Sequence, residues 1–193
     1  MNFDDVLGEF RASGALLEGH FKLSSGRHSG HYLQCARVLM NPARAARIAE
    51  AVVAAIPADV RAAIDVVVSP AMGGIIIGHE IGRVLGKDAL FLERPEGVFH
   101  LRRGFALEAG AKVLMVEDVV TTGLSSREAI AAVGREGGEV IAECAIIDRS
   151  AGTVDLGVPF YPLVAFDFPT YAEDEVPAAL AAIAVTKPGS RKA

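Results

Sequence analysis

The residues best suited to chemistry lie together in the middle of the chain. Glu117 and Asp118 are adjacent carboxylates that follow an apolar run at residues 113–116. A loop of small and hydroxyl-bearing residues, 121–125, comes two residues later. Carboxylates suit sugar hydroxyls or Mg²⁺ with its waters, whereas hydroxyls and a glycine backbone suit a phosphate. The combination predicts a site for a sugar phosphate that has free hydroxyl groups.

The elements around this segment would place it at a ligand-binding edge. Residues 113–116 are all apolar and predict a buried strand that ends at the two acids. Residues 127–135 carry Ala129, Ile130 and Val133 at helical spacing, which predicts a helix directly after the loop. In open α/β sheets, ligands bind beyond the carboxyl ends of the strands. A helix start also offers free N–H groups and the positive end of its dipole to a phosphate.

Two local interpretations compete with a ligand site here. Ser125 and Glu128 have the spacing of a capping box, with Ser125 as the N-cap and Glu128 as its partner. That role does not exclude phosphate binding. Glu117 and Asp118, taken alone, are also consistent with two solvated carboxylates at a strand end. The hydroxyl-rich loop beside them favours the ligand site.

A second strand–loop–helix unit precedes the first. Residues 65–69 predict a buried strand, residues 70–74 a loop and residues 75–85 a helix. The backbone N–H groups around Gly73 and Gly74 suit a second anion such as a diphosphate. The alternative is a tight turn in which the glycines only permit close packing.

A cationic segment follows the third predicted strand, residues 89–92. Residues 93–104 alternate loosely in hydrophobicity around the turn signal Glu96-Gly97, which predicts a β-hairpin arm. The arm carries one histidine and three arginines: His100, Arg94, Arg102 and Arg103. Arginine offers bidentate donors to phosphate oxygens, and histidine can donate a proton near neutral pH. The alternative is a solvated, charged hairpin.

The N-terminal part has a different character. Residues 3–13 predict a short helix that ends at Gly14, and residues 15–38 mix strand-like pieces with Ser/Gly turns. Three histidines fall there: His20, His28 and His31. Because no acidic partners lie nearby, we expect no metal site, and a surface β-hairpin is the simpler interpretation.

The remaining segments continue the alternation of helix and strand. We expect a helix at residues 42–56, strands at 139–147 and 162–166, and a closing helix at 174–184. Alternating strands and helices predict an α/β fold with a mainly parallel central sheet flanked by helices.

Composition limits the classes of function. A chain of 193 residues, 51% hydrophobic and 22% charged, predicts one globular domain. The net charge of −5 argues against a general nucleic-acid binder. The absence of an uncharged apolar run of about 18 residues argues against a membrane span. The polar, acidic N-terminus does not resemble a signal peptide, and Cys35 and Cys144 are expected to be small core residues, so we expect a cytoplasmic protein.

Two segments carry a resemblance to a known family. Residues 113–125 resemble the diphosphate-sugar signature of the type I phosphoribosyltransferases: an apolar strand, two acids, two apolar residues, then Thr-Thr-Gly and a hydroxyl. The segment matches neither a P-loop nor a dinucleotide-binding fingerprint. Residues 21–32 resemble the N-terminal segment of orotate phosphoribosyltransferases. They contain the pattern Phe-x-Leu-x-Ser-Gly-Arg-x-Ser, followed by Tyr32. Arg149 matches the arginine with which that family meets the orotate carboxylate.

The resemblance, which covers about residues 21–149, implies a fold and an activity. The fold would be a single phosphoribosyltransferase domain over residues 1–193, with a small N-terminal hood at about 1–40 and a sheet core at about 41–185. The activity would transfer the phosphoribosyl group of 5-phosphoribosyl 1-diphosphate to orotate, giving orotidine 5′-phosphate and diphosphate in de novo pyrimidine (UMP) biosynthesis. The family also implies Mg²⁺ carried by the substrate, with no direct ligand expected from the protein other than Asp118, and a homodimer with shared active sites. Neither a nucleic acid nor a membrane is implied as a partner.

The resemblance assigns roles residue by residue. Catalytic roles fall on Asp118, Glu117, His100, Arg102 and Arg103. Binding of the diphosphate sugar falls on Arg94, Gly73, Glu117, Asp118, Val119, Val120, Thr121, Thr122, Gly123, Leu124 and Ser125. Binding of orotate falls on Thr121, Arg149, Tyr32 and Leu33, and closure over the neighbouring subunit's site falls on the arm at residues 93–104.

Three positions depart from the family pattern, and two other functions stay open. Members of the family carry lysines where this chain has Ser24, Gly73 and Pro95, so the loop residue that replaces those lysines is not assigned. A phosphoribosyltransferase that uses a purine base would share the central loop but lack the hood motif and the Arg149 match. A non-catalytic regulator that senses the diphosphate sugar would keep the central loop and lose the mobile arm.

Overall fold

The computed structural model describes residues 1–23, 26–166 and 168–187 as two sheets, the larger of which is flanked by helices. The strands are β1 (Leu16–Lys22), β2 (His28–Leu33), β3 (Val66–Pro70), β4 (Ala89–Glu93), β5 (His100–Leu101), β6 (Lys112–Val120), β7 (Glu139–Asp148), β8 (Phe160–Ala165), β9 (Thr170–Tyr171) and β10 (Val185–Thr186). The helices are α1 (Phe3–Ala12), α2 (Cys35–Leu39), α3 (Pro42–Ala55), α4 (Ala58–Ala63), α5 (Gly74–Leu85), α6 (Leu124–Arg135) and α7 (Ala178–Ala181).

The larger sheet has six strands in the order β5-β4-β3-β6-β7-β8. All neighbouring strands are parallel except the short edge strand β5, which pairs antiparallel with β4. The chain runs outward from β3 to β4, then returns to the other side of β3 and runs outward from β6 to β8. A crevice forms at such a switch point, beyond the carboxyl ends of β3 and β6. The predicted α/β fold with a mainly parallel sheet is confirmed.

The side chains of β6 divide the core between two faces of the sheet. Leu114 and Val116 belong to the apolar cluster that includes α3 and α5, whereas Val113 and Met115 pack with α6. All four are fully buried. A strand covered on both faces needs apolar residues without alternation, which is why this run predicted a strand so clearly.

The smaller sheet, which we call the hood, has the order β10-β1-β2-β9. β1 and β2 form the predicted antiparallel hairpin, β9 adds antiparallel to β2, and β10 adds parallel to β1. The hood was expected within about residues 1–40, but two of its four strands, β9 and β10, come from the C-terminal segment. In contrast, the N-terminal helix α1 packs on the main core through Val6 and Phe10.

The central strand is longer than predicted. β6 continues through Glu117 and Asp118 to Val120, so the two acids lie inside the strand and not at its end. Parallel pairing with β7 extends to the pair Val120 and Asp148 and holds this last part of the strand. A run of apolar residues marks where a strand is buried on both faces, but it does not mark where backbone pairing stops.

The predicted capping box is wrong. α6 begins at Leu124, and its N-cap is Gly123, which makes no side-chain cap bond. Glu128 instead forms an ion pair with Arg94 at 2.5 Å. Because Gly123 adopts a left-handed conformation, the helix starts before Ser125, which then lies in the first turn.

The C-terminal region differs from the predicted closing helix at residues 174–184. It contains a single 3₁₀ turn, Glu173–Glu175, the four-residue helix α7, and then β10. The helix predicted at residues 127–135 begins three residues earlier, at Leu124, and the predicted hairpin arm at residues 93–104 is reduced to a 3₁₀ turn, Pro95–Gly97, and the two-residue strand β5. The remaining predicted helices and strands are confirmed, with ends that differ by at most two residues. Cys35 and Cys144 are buried core residues, as expected. Within residues 1–23, 26–166 and 168–187, every helix is too short or too polar to cross a lipid bilayer.

Candidate active site

A cavity of about 440 Å³ opens between the hood and the carboxyl edge of the larger sheet. Its lining residues come from both sheets: Leu23, Arg27, Tyr32, Leu33, Gln34 and Thr170 from the hood side, and Asp118, Val119, Thr121, Thr122 and Arg149 from the core side. The volume is that of a pocket for a small ligand. The predicted orotate-binding residues all lie here, together with part of the predicted sugar-binding loop.

The two adjacent acids have different surroundings, because successive side chains of a strand point to opposite faces. Asp118 lines the cavity. Burial raises the pKa of Asp118, and the hydrogen bond that the Val119 N–H donates to its Oδ1 at 2.9 Å opposes the rise. Glu117 is 7% exposed and lies outside the cavity lining. Burial first, then the charges of Asp118 and Glu143, raise the pKa of Glu117, whereas a hydrogen bond with Ser125 lowers it.

Gly73 brings the loop after β3 against the Asp118 carboxyl group. A Cβ at this position would lie 2.8 Å from both carboxyl oxygens, which is closer than real Cβ atoms approach. A lysine, which the family pattern implied for this position, therefore does not fit without a shift of Asp118. The Ala71–Met72 peptide of this loop is cis. Gly73 is the N-cap of α5, and because glycine has no side chain it offers only backbone groups at this position.

The loop after β6 is enclosed on its outer side. Gly123 has φ of 71°, and a Cβ there would lie 2.5 Å from a methyl group of Val154 and 2.7 Å from one of Leu156. Arg127 donates one hydrogen bond to the Thr122 carbonyl at 3.0 Å and another to the Asp155 carbonyl at 2.9 Å. The loop therefore requires glycine at 123 and is fixed by the segment that follows β7.

Arg149 is the cation at the base of the cavity. Its backbone N–H donates to the Val120 carbonyl at 2.8 Å, which fixes the residue beside the end of β6. Its Nε is buried and has no hydrogen-bond partner in the part of the chain that the structure describes. Burial lowers the pKa of Arg149, while the neighbouring Tyr32 raises it, and an arginine stays charged under such a shift. Its guanidinium is therefore available to a planar anion.

The cationic arm lies apart from this cavity. Arg94 stacks on Phe99, with its guanidinium carbon 4.0 Å from the ring centre, and pairs with Glu128. The other two arginines pair with the same carboxylate: Arg102 lies 3.4 Å and Arg103 2.7 Å from Glu93. His100 is exposed on β5. None of these four cations is among the residues that line the 440 Å³ cavity.

Sequence reasoning missed four residues of the lining: Leu23, Arg27, Gln34 and Thr170. Arg27 donates from Nε to the Thr170 hydroxyl at 2.9 Å and from a terminal nitrogen to the Thr170 carbonyl at 2.7 Å. Leu23 and Arg27 belong to the hood motif itself, so its spacing was a usable signal. Thr170 is 143 residues from Arg27 and gave no signal. Ser24, one of the departures from the family pattern, lies outside the described residues.

Within residues 1–23, 26–166 and 168–187, no three His, Cys, Asp or Glu side chains converge as a metal site. His20 and His28 instead contact each other, with Nε2 and Nδ1 2.7 Å apart. A Mg²⁺ ion at the cavity would therefore need oxygen ligands from a substrate and from water besides Asp118. The fit is chemically sound, because Asp118 supplies a hard carboxylate oxygen at the cavity wall.

Comparisons with known proteins agree with this geometry. The phosphoribosyl transferase domain family matches residues 35–161. An orotate phosphoribosyltransferase of Erythrobacter litoralis is 74% identical over 191 residues, 99% of each chain. One of Novosphingobium aromaticivorans is 71% identical over 188 residues, 97% of each chain. The crystal structure of orotate phosphoribosyltransferase from Aeropyrum pernix superposes with a TM-score of 0.69 at 23% identity, covering 83% of this chain and 93% of that one, which bears on the fold alone.

Proposed function

We propose, from the premise that the chain belongs to the orotate phosphoribosyltransferase family, that its cavity joins orotate to 5-phosphoribosyl 1-diphosphate. The products are orotidine 5′-phosphate and diphosphate, a step of de novo pyrimidine biosynthesis. The observation that carries the proposal is the Arg149 Nε, which lacks a partner among the described residues, in a cavity that Asp118 and Thr121 also line. Orotate differs from purine bases in its carboxylate, which an arginine binds through two parallel hydrogen bonds.

The loop after β6 would bind the 5′-phosphate. The first N–H groups of α6 have no carbonyl partner within the helix, and the exposed residues Thr121 and Thr122 lie beside them. Arg127 holds the Thr122 carbonyl, so the loop keeps its shape without the ligand. The two acids cannot bind this phosphate, since like charges repel. Of the two, Asp118 lines the cavity, and its carboxylate suits the ribose hydroxyls.

Asp118 would stabilise the reacting sugar. Departure of diphosphate leaves an oxocarbenium-like carbon, and an ionised carboxylate at the cavity wall lowers the energy of that charge. No nucleophilic side chain is needed, because the orotate ring nitrogen attacks the same carbon from the opposite face. The buried Glu117 supports the loop through Ser125, which is a different role from the direct contact with ribose that the resemblance implied.

The hood would bind and cover the base. Tyr32 and Leu33 come from β2 and reach the cavity, with Tyr32 packed beside Phe21 at 5.8 Å between ring centres. Arg27 links the hairpin to β9 across the cavity mouth through Thr170. A covered base and sugar exclude the water that would otherwise hydrolyse the intermediate.

Mg²⁺ is the cofactor that this chemistry requires. It would be held by Asp118 together with substrate oxygens, and when bound it would neutralise the charge on the departing diphosphate. The protein contributes the Asp118 carboxylate, which lies at the cavity wall.

We also propose a homodimer in which the arm of one protomer completes the site of the other. Its support is that Arg102 and Arg103 turn to Glu93 and away from their own cavity. Two exposed apolar side chains on the loop and first turn of α5, Met72 at 81% and Ile76 at 44%, are suited to burial against a second copy. The natural compartment of such an enzyme is the cytoplasm.

The proposal is tested by the ultraviolet absorbance of orotate mixed with the protein, 5-phosphoribosyl 1-diphosphate and Mg²⁺. We expect loss of orotate that needs every component and falls by at least about a hundredfold in Asp118→Asn. Turnover of a purine base but not of orotate would keep the family chemistry and reject the substrate. Binding of the diphosphate sugar with no turnover of any base would reject the enzyme.

A further inference from the structure

One carboxyl group in the core has no part in the mechanism above. Glu143 lies in β7, between Met115 of β6 and Phe160 of β8, and its side chain is fully buried. A carboxyl group removed from water is costly unless it is hydrogen-bonded. Its place in a core strand, where apolar residues are the rule, therefore points to a specific partner.

That partner is Ser126 in the first turn of α6. The Ser126 hydroxyl donates to Oε1 of Glu143 at 2.6 Å, and Ser126 is 1% exposed. Glu143 Oε2 has no hydrogen-bond partner within the described ranges. The bond therefore ties a rigid central strand to the helical turn that begins directly after Gly123.

We propose that Glu143 is a positioning residue for the loop that binds the diphosphate sugar. Through Ser126 it would fix the first turn of α6 from the core side, and with it the N–H groups and hydroxyls of residues 121–125. This inference rests on the proposed function, which assigns that loop to the 5′-phosphate.

The loop is thus held from two directions. On the outer side, Arg127 binds the Thr122 and Asp155 carbonyls. On the inner side, Glu143 holds the hydroxyl one residue before Arg127. Burial raises the pKa of Glu143 to about 7, but the protonated and ionised forms both keep Oε1 as an acceptor. A glutamine amide oxygen would do the same.

The expected effect is selective for one substrate. Arg149, Tyr32 and Leu33, which line the cavity on the side proposed for the base, come from elements other than α6 and β7. Loss of the Ser126–Glu143 bond should therefore weaken binding of the diphosphate sugar and spare that of orotate. A purely structural role would lower stability without separating the two substrates.

The test is steady-state kinetics of Ser126→Ala, Glu143→Leu, their double variant and Glu143→Gln, with the exposed Glu139→Gln as the control. We expect the KM for the diphosphate sugar to rise about tenfold in both single variants, with kcat and the KM for orotate within about twofold. The double variant should be no worse than either single one, because both remove the same bond. Glu143→Gln should restore a KM close to that of the unmodified protein.

Ser126→Ala removes a single oxygen and keeps the inference testable if Glu143→Leu does not fold. An unchanged KM for the diphosphate sugar in Ser126→Ala, or equal rises in both KM values, would overturn the role of Glu143. Gly123→Ala distinguishes failure of the positioning role of Glu143 from failure of the assignment of the loop to the phosphate. If it raises that KM while Ser126→Ala does not, only the positioning role fails. If neither variant does, the assignment of the loop to the phosphate fails as well.

Discussion

At the scale of single residues, two glycines shape the site through the atoms that pack against them. Position 123 requires glycine because its φ is positive and because Val154 and Leu156 leave no space for a Cβ atom. Position 73 requires glycine because the Asp118 carboxyl group occupies the space that a Cβ atom would need. The sequence predicted glycines near a phosphate, but not these contacts. Val154 and Leu156 come from a loop without a sequence pattern, so only the folded chain shows that they enclose Gly123.

Gly123→Ala should impair both folding and substrate binding. Its φ of 71° is unfavourable for alanine, and the new methyl group would collide with Val154. We expect the free energy of unfolding to fall by about 1–3 kcal/mol and the KM for the diphosphate sugar to rise. Urea unfolding and initial rates measure the two effects. Gly134→Ala in α6, where the structure leaves open space, is the matched control and should be neutral or stabilising.

Glu143 should make stability fall as pH rises. Its pKa in the folded protein is about 7, raised from an ordinary value of 4.5 by burial. Between these values the folded protein holds a proton that the unfolded chain has released, so the free energy of unfolding decreases with pH. The decrease attributable to this group is about 3 kcal/mol at 1.36 kcal/mol per pKa unit.

Urea unfolding between pH 4.5 and pH 8 checks this effect. Glu143→Gln, which does not titrate, should lack that part of the slope. Parallel curves for the variant and the unmodified protein would show that Glu143 does not titrate in this range.

At the scale of elements, the sequence predicted the parts of the sheet that are buried on both faces and missed where they end. Residues 113–116 predicted the core of β6, yet the strand continues through Glu117 and Asp118 because β7 pairs with it as far as Val120. The capping box failed because Gly123 starts α6 earlier. The C-terminal helix failed because the chain there adds strands to the hood, and strand addition depends on a partner far away in sequence.

The link between Arg27 and Thr170 should control how the hood holds the base. Arg27→Ala removes both hydrogen bonds to β9. We expect the KM for orotate to rise about five- to thirtyfold, with a smaller change for the diphosphate sugar, since each of the two bonds contributes about 1 kcal/mol. Initial rates at a series of orotate concentrations measure the KM. Arg11→Ala on the exposed face of α1 is the control. Equal effects of the two variants would argue against a role for the link.

At the scale of the whole molecule, strands that are far apart in the sequence form one sheet over the cavity. β9 and β10 join the N-terminal hairpin, and the hood then faces the carboxyl edge of the larger sheet. The resemblance to a family predicted the hood and the Arg149 site, because both carry local motifs. It did not predict the turn of the arm toward Glu93, since ion pairs within the arm leave no periodic signal.

A mixing experiment tests the proposal that two protomers share each active site. Asp118→Asn should disable the cavity, and a variant with both Arg102→Ala and Arg103→Ala should disable the arm. After the two inactive proteins are dissociated and reassociated, heterodimers would contain one intact site. The expected recovery is about a quarter of the unmodified rate under random pairing. If each subunit used its own arm, mixing would restore no activity.

The central claim is that Arg149 binds the carboxylate of orotate within the cavity under the hood. The most direct measurement is the KM for orotate and for 5-phosphoribosyl 1-diphosphate in Arg149→Gln, compared with the unmodified protein. We predict that the KM for orotate rises about a hundredfold while that for the diphosphate sugar stays within about twofold, because the loss of a buried charged donor costs about 2–5 kcal/mol. An unchanged KM for orotate in a folded variant would contradict the assignment of the cavity to the base.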